Sequence, residues 1–245
     1  MLKYKKYPVA KSIGNRWLYP PIFDPDYLHR KTLLAVIRRL STRLSSNSRI
    51  LDVGCGWMPY RSLFKAQVYE GVDVLPHGDT SIALIGDDRK IPKPDAVFDV
   101  CVSWQVLEHV DSLHLFHAEI RRCLKPGGRL YLTTHGFFRV HAEADFWRWT
   151  KQGLERHFEQ YGWSDVSVEP IDNAIVSATG FCNALVERIL LPEDRNKAGK
   201  VKKIVFAAYA LLANCIGLIL LRSLPASKIA VLESDSSTFL ISCTK

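Results

Sequence analysis

Arg49–Val53 is a short apolar run that passes straight into Gly54-Cys55-Gly56. Two glycines directly after a strand let the backbone turn sharply and come close to a ligand. That places a binding loop at the carboxyl end of a strand. A dinucleotide fingerprint would want a third glycine at position 59, where this chain has Pro59. The loop therefore suits a nucleoside ligand without a pyrophosphate better than a dinucleotide.

The segments around this loop alternate. Residues 27–44 carry Leu33, Ile37, Leu40 and Leu44 on one helical face, with Arg30, Lys31, Arg38, Arg39 and Arg43 on the other. Met58-Pro59-Tyr60 opens a short helix to about Ala66, with Pro59 in its first turn. Strands are expected over 68–74, 81–85, 97–103, 129–134 and 165–169. Helices are expected over 112–124, stopped by Lys125-Pro126-Gly127-Gly128, and over 150–161, ended by Gly162. This alternation predicts an α/β fold with a parallel sheet and ligands at the carboxyl ends of its strands. Asp73 ends the second strand, where a carboxylate can accept hydrogen bonds from both hydroxyls of a ribose. Asp87 and Asp88 follow the third, near where the base of a nucleoside would lie.

Further motifs fall in a recognisable order. These are residues 51–56, Asp73, Gly86-Asp87-Asp88, Phe98-Asp99-Val100, Val106-Leu107-Glu108-His109-Val110 and Leu124-Lys125-Pro126-Gly127-Gly128. On them the chain resembles the class I S-adenosylmethionine-dependent methyltransferases of the small-molecule type 11 kind, over about residues 30–170. The resemblance implies a Rossmann-like, doubly wound seven-stranded sheet whose last strand is antiparallel. It implies S-adenosyl-L-methionine as cofactor. Asp52, Gly54 and Gly56 would surround its methionine end, and Asp73 would hold the ribose. Val74 would pack on the adenine, Asp87 would face the adenine amino group, and Asp88 would lie beside it. Trp104 and Gln105 would border the sulfonium and the acceptor. The helices after the first three strands look short or absent, which departs from the family pattern and leaves the cofactor less covered.

Such a cofactor carries its methyl on a sulfonium. The protein must hold an acceptor in line with that methyl, with reacting atoms roughly 3–3.5 Å apart. A hydroxyl acceptor also needs a base near its proton. His109, His135 and His141 all lie where loops leave strand ends, and His135, directly after the fifth strand, is the first choice. Each also reads as a packing or surface histidine. Some methyltransferases of this class bind a divalent ion through Glu-x-x-Glu-His and a later histidine. Here the run is Gln105-Val106-Leu107-Glu108-His109. The amide in first place removes a charge from a hard-cation site, so no metal is expected. Phe146-Trp147-Arg148-Trp149-Thr150 looks like runs in methyltransferases of glycan or cell-surface polymer synthesis. It reads equally as a hydrophobic staple and Thr150 cap for the helix that follows.

Charge is concentrated at one end. Residues 1–49 hold 11 Lys/Arg and 2 Asp/Glu, whereas residues 50–245 hold 22 and 23. A basic arm can meet nucleic acid, anionic lipid or another polyanion. No aromatic RNA-binding signature accompanies it, so nucleic acid is disfavoured. Six scattered cysteines form no C-x-x-C pair, and Met1 to Arg16 lacks the apolar core of a signal peptide. The expectation is a cytoplasmic protein with free thiols, peripheral on the inner face of a membrane.

That membrane expectation rests on residues 204–221, an apolar run in which Asn214 is the one strongly polar residue. Lys200, Lys202 and Lys203 flank one end and Arg222 the other. A single crossing would strand the final strand, expected at 238–243, on the wrong side of the bilayer. The run can lie in the interface, pair with apolar 171–191 as a hairpin, or pack on protein, including in a homodimer. The chain thus divides into a basic arm and amphipathic helix (1–48), a methyltransferase core (49–170), an apolar helical insertion (171–235) and the last core strand (236–245). The expected activity is methyl transfer, acting on oxygen of a small or lipid-linked acceptor such as a glycan precursor or a quinone-like compound. The rivals are a non-catalytic membrane scaffold of the same fold and a methyltransferase of RNA or protein.

Overall fold

The computed structural model describes residues 14–76, 81–86, 88–192 and 198–245. Seven strands form one sheet in the order β3-β2-β1-β4-β5-β7-β6. They are β1 (Arg49–Val53), β2 (Val68–Asp73), β3 (Ala83–Leu84), β4 (Phe98–Trp104), β5 (Leu124–His135), β6 (Ser164–Pro170) and β7 (Thr238–Thr244). β1 pairs in parallel with β2 and with β4, and β4 in parallel with β5. β7 runs antiparallel between β5 and β6. The sheet expected from the resemblance is present, with the strand order reversing between β1 and β4.

Strand alternation sorts side chains onto two faces. Leu51, Val53, Cys101, Leu130, Leu132 and Ile241 pack with Ile120 of α3 (Leu113–Cys123) and with Leu154 and Phe158 of α4 (Lys151–Gln160). On the other face Ile50, Val100, Val102, Trp104 and Leu240 meet Leu33, Ile37 and Leu40 of α2 (Tyr27–Ser41). A short α1 (Gly14–Leu18) precedes α2. Among the described residues no α-helix lies between β1 and β4, in keeping with the short or absent helices expected there. The helix expected from Met58 is only a 3-10 turn at Arg61–Leu63, and another 3-10 turn, Leu107–His109, follows β4. β3 shrinks to two residues. β5 begins earlier than expected. The chain leaves α3 at Cys123 and pairs at once, Leu124 with Phe98; Lys125-Pro126-Gly127-Gly128 is an excursion before pairing resumes at Val100 with Arg129. α4 has the expected ends: Thr150 Oγ1 accepts the Gly153 N–H at 3.1 Å, and Gly162 takes a left-handed φ of +77° beyond it.

Between β6 and β7 the chain forms α5 (Ala174–Leu190), α6 (Lys200–Ser223) and α7 (Ala226–Leu232). α5 and α6 pack against each other and both touch α2. The seam of α6 is narrow: Phe206, Ala210, Asn214 and Gly217. Asn214 Nδ2 donates to the carbonyls of Ile22 at 2.7 Å and Asp24 at 2.9 Å. Asn183 of α5 donates to the carbonyl of Pro25 at 2.8 Å. A Cβ at Gly217 would lie 2.7 Å from Leu28 Cδ1, so any larger residue would push the Leu28 side chain of α2 aside. Because β7 returns to the middle of the sheet, the helices are tied to the body at both ends. Of the arrangements open to the apolar run, packing against 171–191 within the chain is seen, through α5.

Candidate active site

The carboxyl ends of β1, β2 and β4 open into a cavity of about 360 Å³. Its walls include Val53, Gly54, Asp73, Val74, Gln105 and Val106. Gly54 has φ +71°, and a Cβ there would lie 2.5 Å from Val106 Cγ2. Conformation and space both demand glycine at this position. Gly56 has open space around it but a φ of +52°. Its N–H donates to Asp73 Oδ2 at 2.8 Å, while Asp73 Oδ1 accepts the Leu75 N–H at 2.9 Å. The glycine turn and the carboxylate at the end of β2 thus hold each other in place. Carboxylate oxygens offer further lone pairs, so the ribose role remains open to Asp73. Val74, Ile85, Ile91 and Phe116 make the neighbouring wall apolar. Gln105 sits just past β4 at φ +56°, and both polar atoms of its buried side-chain amide lack a hydrogen-bond partner among the described residues. A buried amide with nothing to bond is costly unless a ligand completes it. Glycine cradle, carboxylate, apolar slab and orphaned amide together fit a nucleoside carrying a polar amino-acid tail.

Other expected residues lie elsewhere. Asp87 falls outside the described residues. Asp88 accepts the Lys90 N–H at 3.1 Å and lines a separate surface hollow. Trp104 alternates onto the α2 face with Val100 and Val102, stacked 6.4 Å from Phe64. Asp52 also points there, where its Oδ2 accepts the Tyr69 hydroxyl at 2.7 Å. Burial pushes Asp52 up to about 7, against the pull of that hydrogen bond and with Asp73 adding to the rise. The wall also holds residues that motif reading missed, among them Arg89, Asp111 and the loop residues Ala142, Glu143 and Ala144.

The three candidate histidines separate. His109 lines the cavity. Its Nδ1 lies 2.5 Å from the carbonyl oxygen of Ala144. A carbonyl can only accept, so Nδ1 carries the proton and Nε2 keeps its lone pair. His135 does not reach the cavity wall. It is buried under Phe138, rings parallel and 3.9 Å apart, with Nε2 3.2 Å from Glu108 Oε1 but off hydrogen-bond alignment. Burial pushes its imidazole well down, with His29 and His141 adding to the effect. His141 bonds Asp145 at 3.0 Å. Burial, aided by His109, takes His141 down to about 4 despite that carboxylate.

Glu108 is wholly buried, its Oε2 accepting from the Thr134 hydroxyl at 2.9 Å. Burial raises it to about 7, against bonds from its own backbone and from Thr134. Glu108, His135 and His141 bring one ligand atom each within 4.8 Å of one another, so these three residues could hold a metal ion. Gln105 is not part of that group.

The loop over this region is fastened by the aromatic run before α4. Arg148 donates to Asp145 at 2.5 and 2.7 Å and to the carbonyls of Phe138 and Arg139. Burial opposes ionisation of Asp145, yet Arg148 and the His141 N–H hold it down to about 2. Trp147 Nε1 donates to the Val110 carbonyl at 2.7 Å. The Phe146–Thr150 run therefore serves as a clasp and a helix cap.

Residues 27–168 match the methyltransferase domain family. A Mycolicibacterium smegmatis chain named "Probable S-adenosylmethionine-dependent methyltransferase" is 28% identical over 138 residues, 52% of each chain. A malonyl-[acyl-carrier protein] O-methyltransferase of Serratia marcescens is 27% identical over 124 residues, 46% of this chain and 48% of the relative. The chain spans about half the length of these curated relatives. In the crystal structure of an S-adenosylmethionine-dependent methyltransferase from Archaeoglobus fulgidus the fold recurs. The TM-score is 0.54 at 15% identity, over 86% of this chain and 92% of that one. The chain belongs to the methyltransferase domain family.

Proposed function

We propose that the protein transfers the methyl group of S-adenosyl-L-methionine to an oxygen of a small or lipid-linked acceptor. The observation that carries the reading is the cavity wall that joins Gly54, Asp73 and Gln105 to His109. A candidate nucleoside site and the His109 imidazole, whose Nε2 lies 4.0 Å from Glu108 Oε1, line the same space. Bound there, the cofactor supplies an electrophilic methyl on a positively charged sulfur. Asp73 holds the ribose, Gly54 permits close approach, and the Gln105 amide fixes the polar end or the acceptor. His109, its Nδ1 proton committed to the Ala144 carbonyl, accepts the acceptor's hydroxyl proton at Nε2 as the carbon–oxygen bond forms. The proton would then stay on the His109 imidazole until solvent takes it. The similarity to a malonyl-[acyl-carrier protein] O-methyltransferase supports oxygen as the methylated atom.

We assign this role to His109 rather than His135, because His109 lines the cavity whereas His135 is buried behind Phe138. The test combines calorimetric titration of S-adenosylmethionine with transfer of labelled methyl to a lipid-linked glycan and quinone panel. His109→Gln should bind cofactor with unchanged affinity and lose roughly 10²–10⁴-fold in turnover, the usual worth of a general base. Full turnover in that variant removes His109 from the chemistry. No cofactor binding by the folded protein rejects the whole reading.

A further inference from the structure

Helix α6 is apolar on its outward side as well as on its buried one. A surface helix buries an apolar stripe and shows solvent a polar face. The buried seam of α6 holds Phe206, Ala210, Asn214 and Gly217, yet its outward face also carries Val201, Ile204, Leu212, Ile216 and Ile219. Only 22% of its apolar window is buried. Neighbouring α5 adds Phe181, Leu185 and Ile189, spaced by four residues and all exposed. Soluble chains rarely leave an apolar surface of this extent open to water.

We infer that this α5–α6 face docks on an anionic lipid bilayer, with α6 lying along the surface. Charge selects the occupant. Lys200, Lys202 and Lys203 are exposed at one end of α6 and Arg222 at the other, and none of its 24 residues is acidic. At 1.5 Å per residue the helix is about 36 Å long. Laid flat, it lets both basic ends reach the headgroups of one leaflet while the middle enters the acyl boundary. Spanning is excluded by connectivity, since β7 rejoins the sheet between β5 and β6. A two-fold contact with a second copy is disfavoured. An antiparallel α6 pair would set the lysine cluster against Arg222 with no acid on either helix.

The apolar face also leads to the acceptor side of the site. Phe137, 59% exposed, packs on Phe181 with ring centroids 4.8 Å apart. Arg188 at the end of α5 donates to the carbonyl of Val140, itself 64% exposed. Two residues on, Ala142–Ala144 form part of the cavity wall. An acceptor dissolved in the leaflet would thus reach His109 along this loop without crossing water. That link rests on the methyl-transfer reading; the docking surface does not.

The experiment is co-sedimentation with vesicles of pure phosphatidylcholine and of phosphatidylcholine containing about one third phosphatidylglycerol. The full chain is expected to pellet with the anionic vesicles and to be released by salt. Lys200→Glu/Lys202→Glu/Lys203→Glu should weaken that binding at least about tenfold. Leu212→Glu/Ile216→Glu/Ile219→Glu should abolish it on both compositions. Cofactor affinity and circular dichroism report whether each variant is folded. If the second variant misfolds, the lysine reversals, on exposed side chains alone, carry the test. Wild-type protein left in the supernatant, or pelleting unaffected by both variants, overturns the proposal. So does a dimer in analytical ultracentrifugation that the second variant splits. Vesicle binding without cofactor binding leaves the surface standing and removes its link to the acceptor. Cofactor binding without vesicle binding rejects the surface alone.

Discussion

Asp52 and Asp73 are acids at the carboxyl ends of adjacent strands, yet the fold treats them in opposite ways. Asp73 turns into the cavity and accepts two backbone N–H groups. Asp52 turns into the α2 layer, where burial pushes its carboxyl up to about 7. Motif reading grouped them because it registers identity and position but not the face. Strand alternation carried that information: Ile50 and Asp52 share a side, as do Val102 and Trp104. The placement has a pH signature. A carboxyl whose folded pKa exceeds its unfolded value binds its proton more tightly when folded. The stability it contributes is complete below about 3.8 and is lost as pH rises through about 7. Asp52→Asn cannot lose a proton, so its melting temperature relative to wild type should be higher at pH 8 than at pH 5. An offset independent of pH would mean that Asp52 is ionised at little cost in the fold. The same limit applies to the histidines. Sequence adjacency to β5 favoured His135, whereas the ring that lines the cavity belongs to His109, on a 3-10 turn after β4.

Among the elements, α6 shows how a single polar residue can set a helix's orientation. Asn214 was visible in the sequence as an interruption of an apolar run. Its meaning depends on two carbonyls, of Ile22 and Asp24, almost two hundred positions away. With Nδ2 satisfied there, the seam of Phe206, Ala210, Asn214 and Gly217 is buried and a second apolar face, with Leu212, Ile216 and Ile219, points out. Asn214→Leu removes the donor and leaves both carbonyls short of a partner. It should destabilise the protein by about 1–3 kcal/mol, the cost of buried polar groups left unmade. Urea unfolding measures this directly, and a variant as stable as wild type would show that the seam is held by packing alone. The helix boundaries were more legible, because caps are local: Thr150 and Gly162 mark α4 by chemistry within four residues of each end. The start of β5 was not, since the Lys125–Gly128 excursion stays beside the sheet only because Phe98 of β4 pairs with Leu124.

For the molecule as a whole, the cofactor site and the fold are thermodynamically one system, because Gly54, Asp73 and Gln105 come together only when β1, β2 and β4 are paired. A ligand that binds only the folded state stabilises it by mass action. At one hundred times its dissociation constant, S-adenosylhomocysteine should add about 2.7 kcal/mol. At roughly 2–4 °C per kcal/mol for a chain of this size, the melting temperature should rise by about 5–11 °C. Asp73→Ala should show little shift at the same ligand concentration. An equal shift in the variant would take the ribose away from Asp73. The parallel order of the strands, the glycine turn and the carboxylate at the end of β2 were determined by the sequence alone, because each follows from short-range periodicity or from conformational demands met within a few residues. Other features were decided only by tertiary structure: which histidine meets the cavity, which acid faces it, and which way the apolar helix faces. Those depend on contacts between residues far apart in the chain, whose partners no local pattern names.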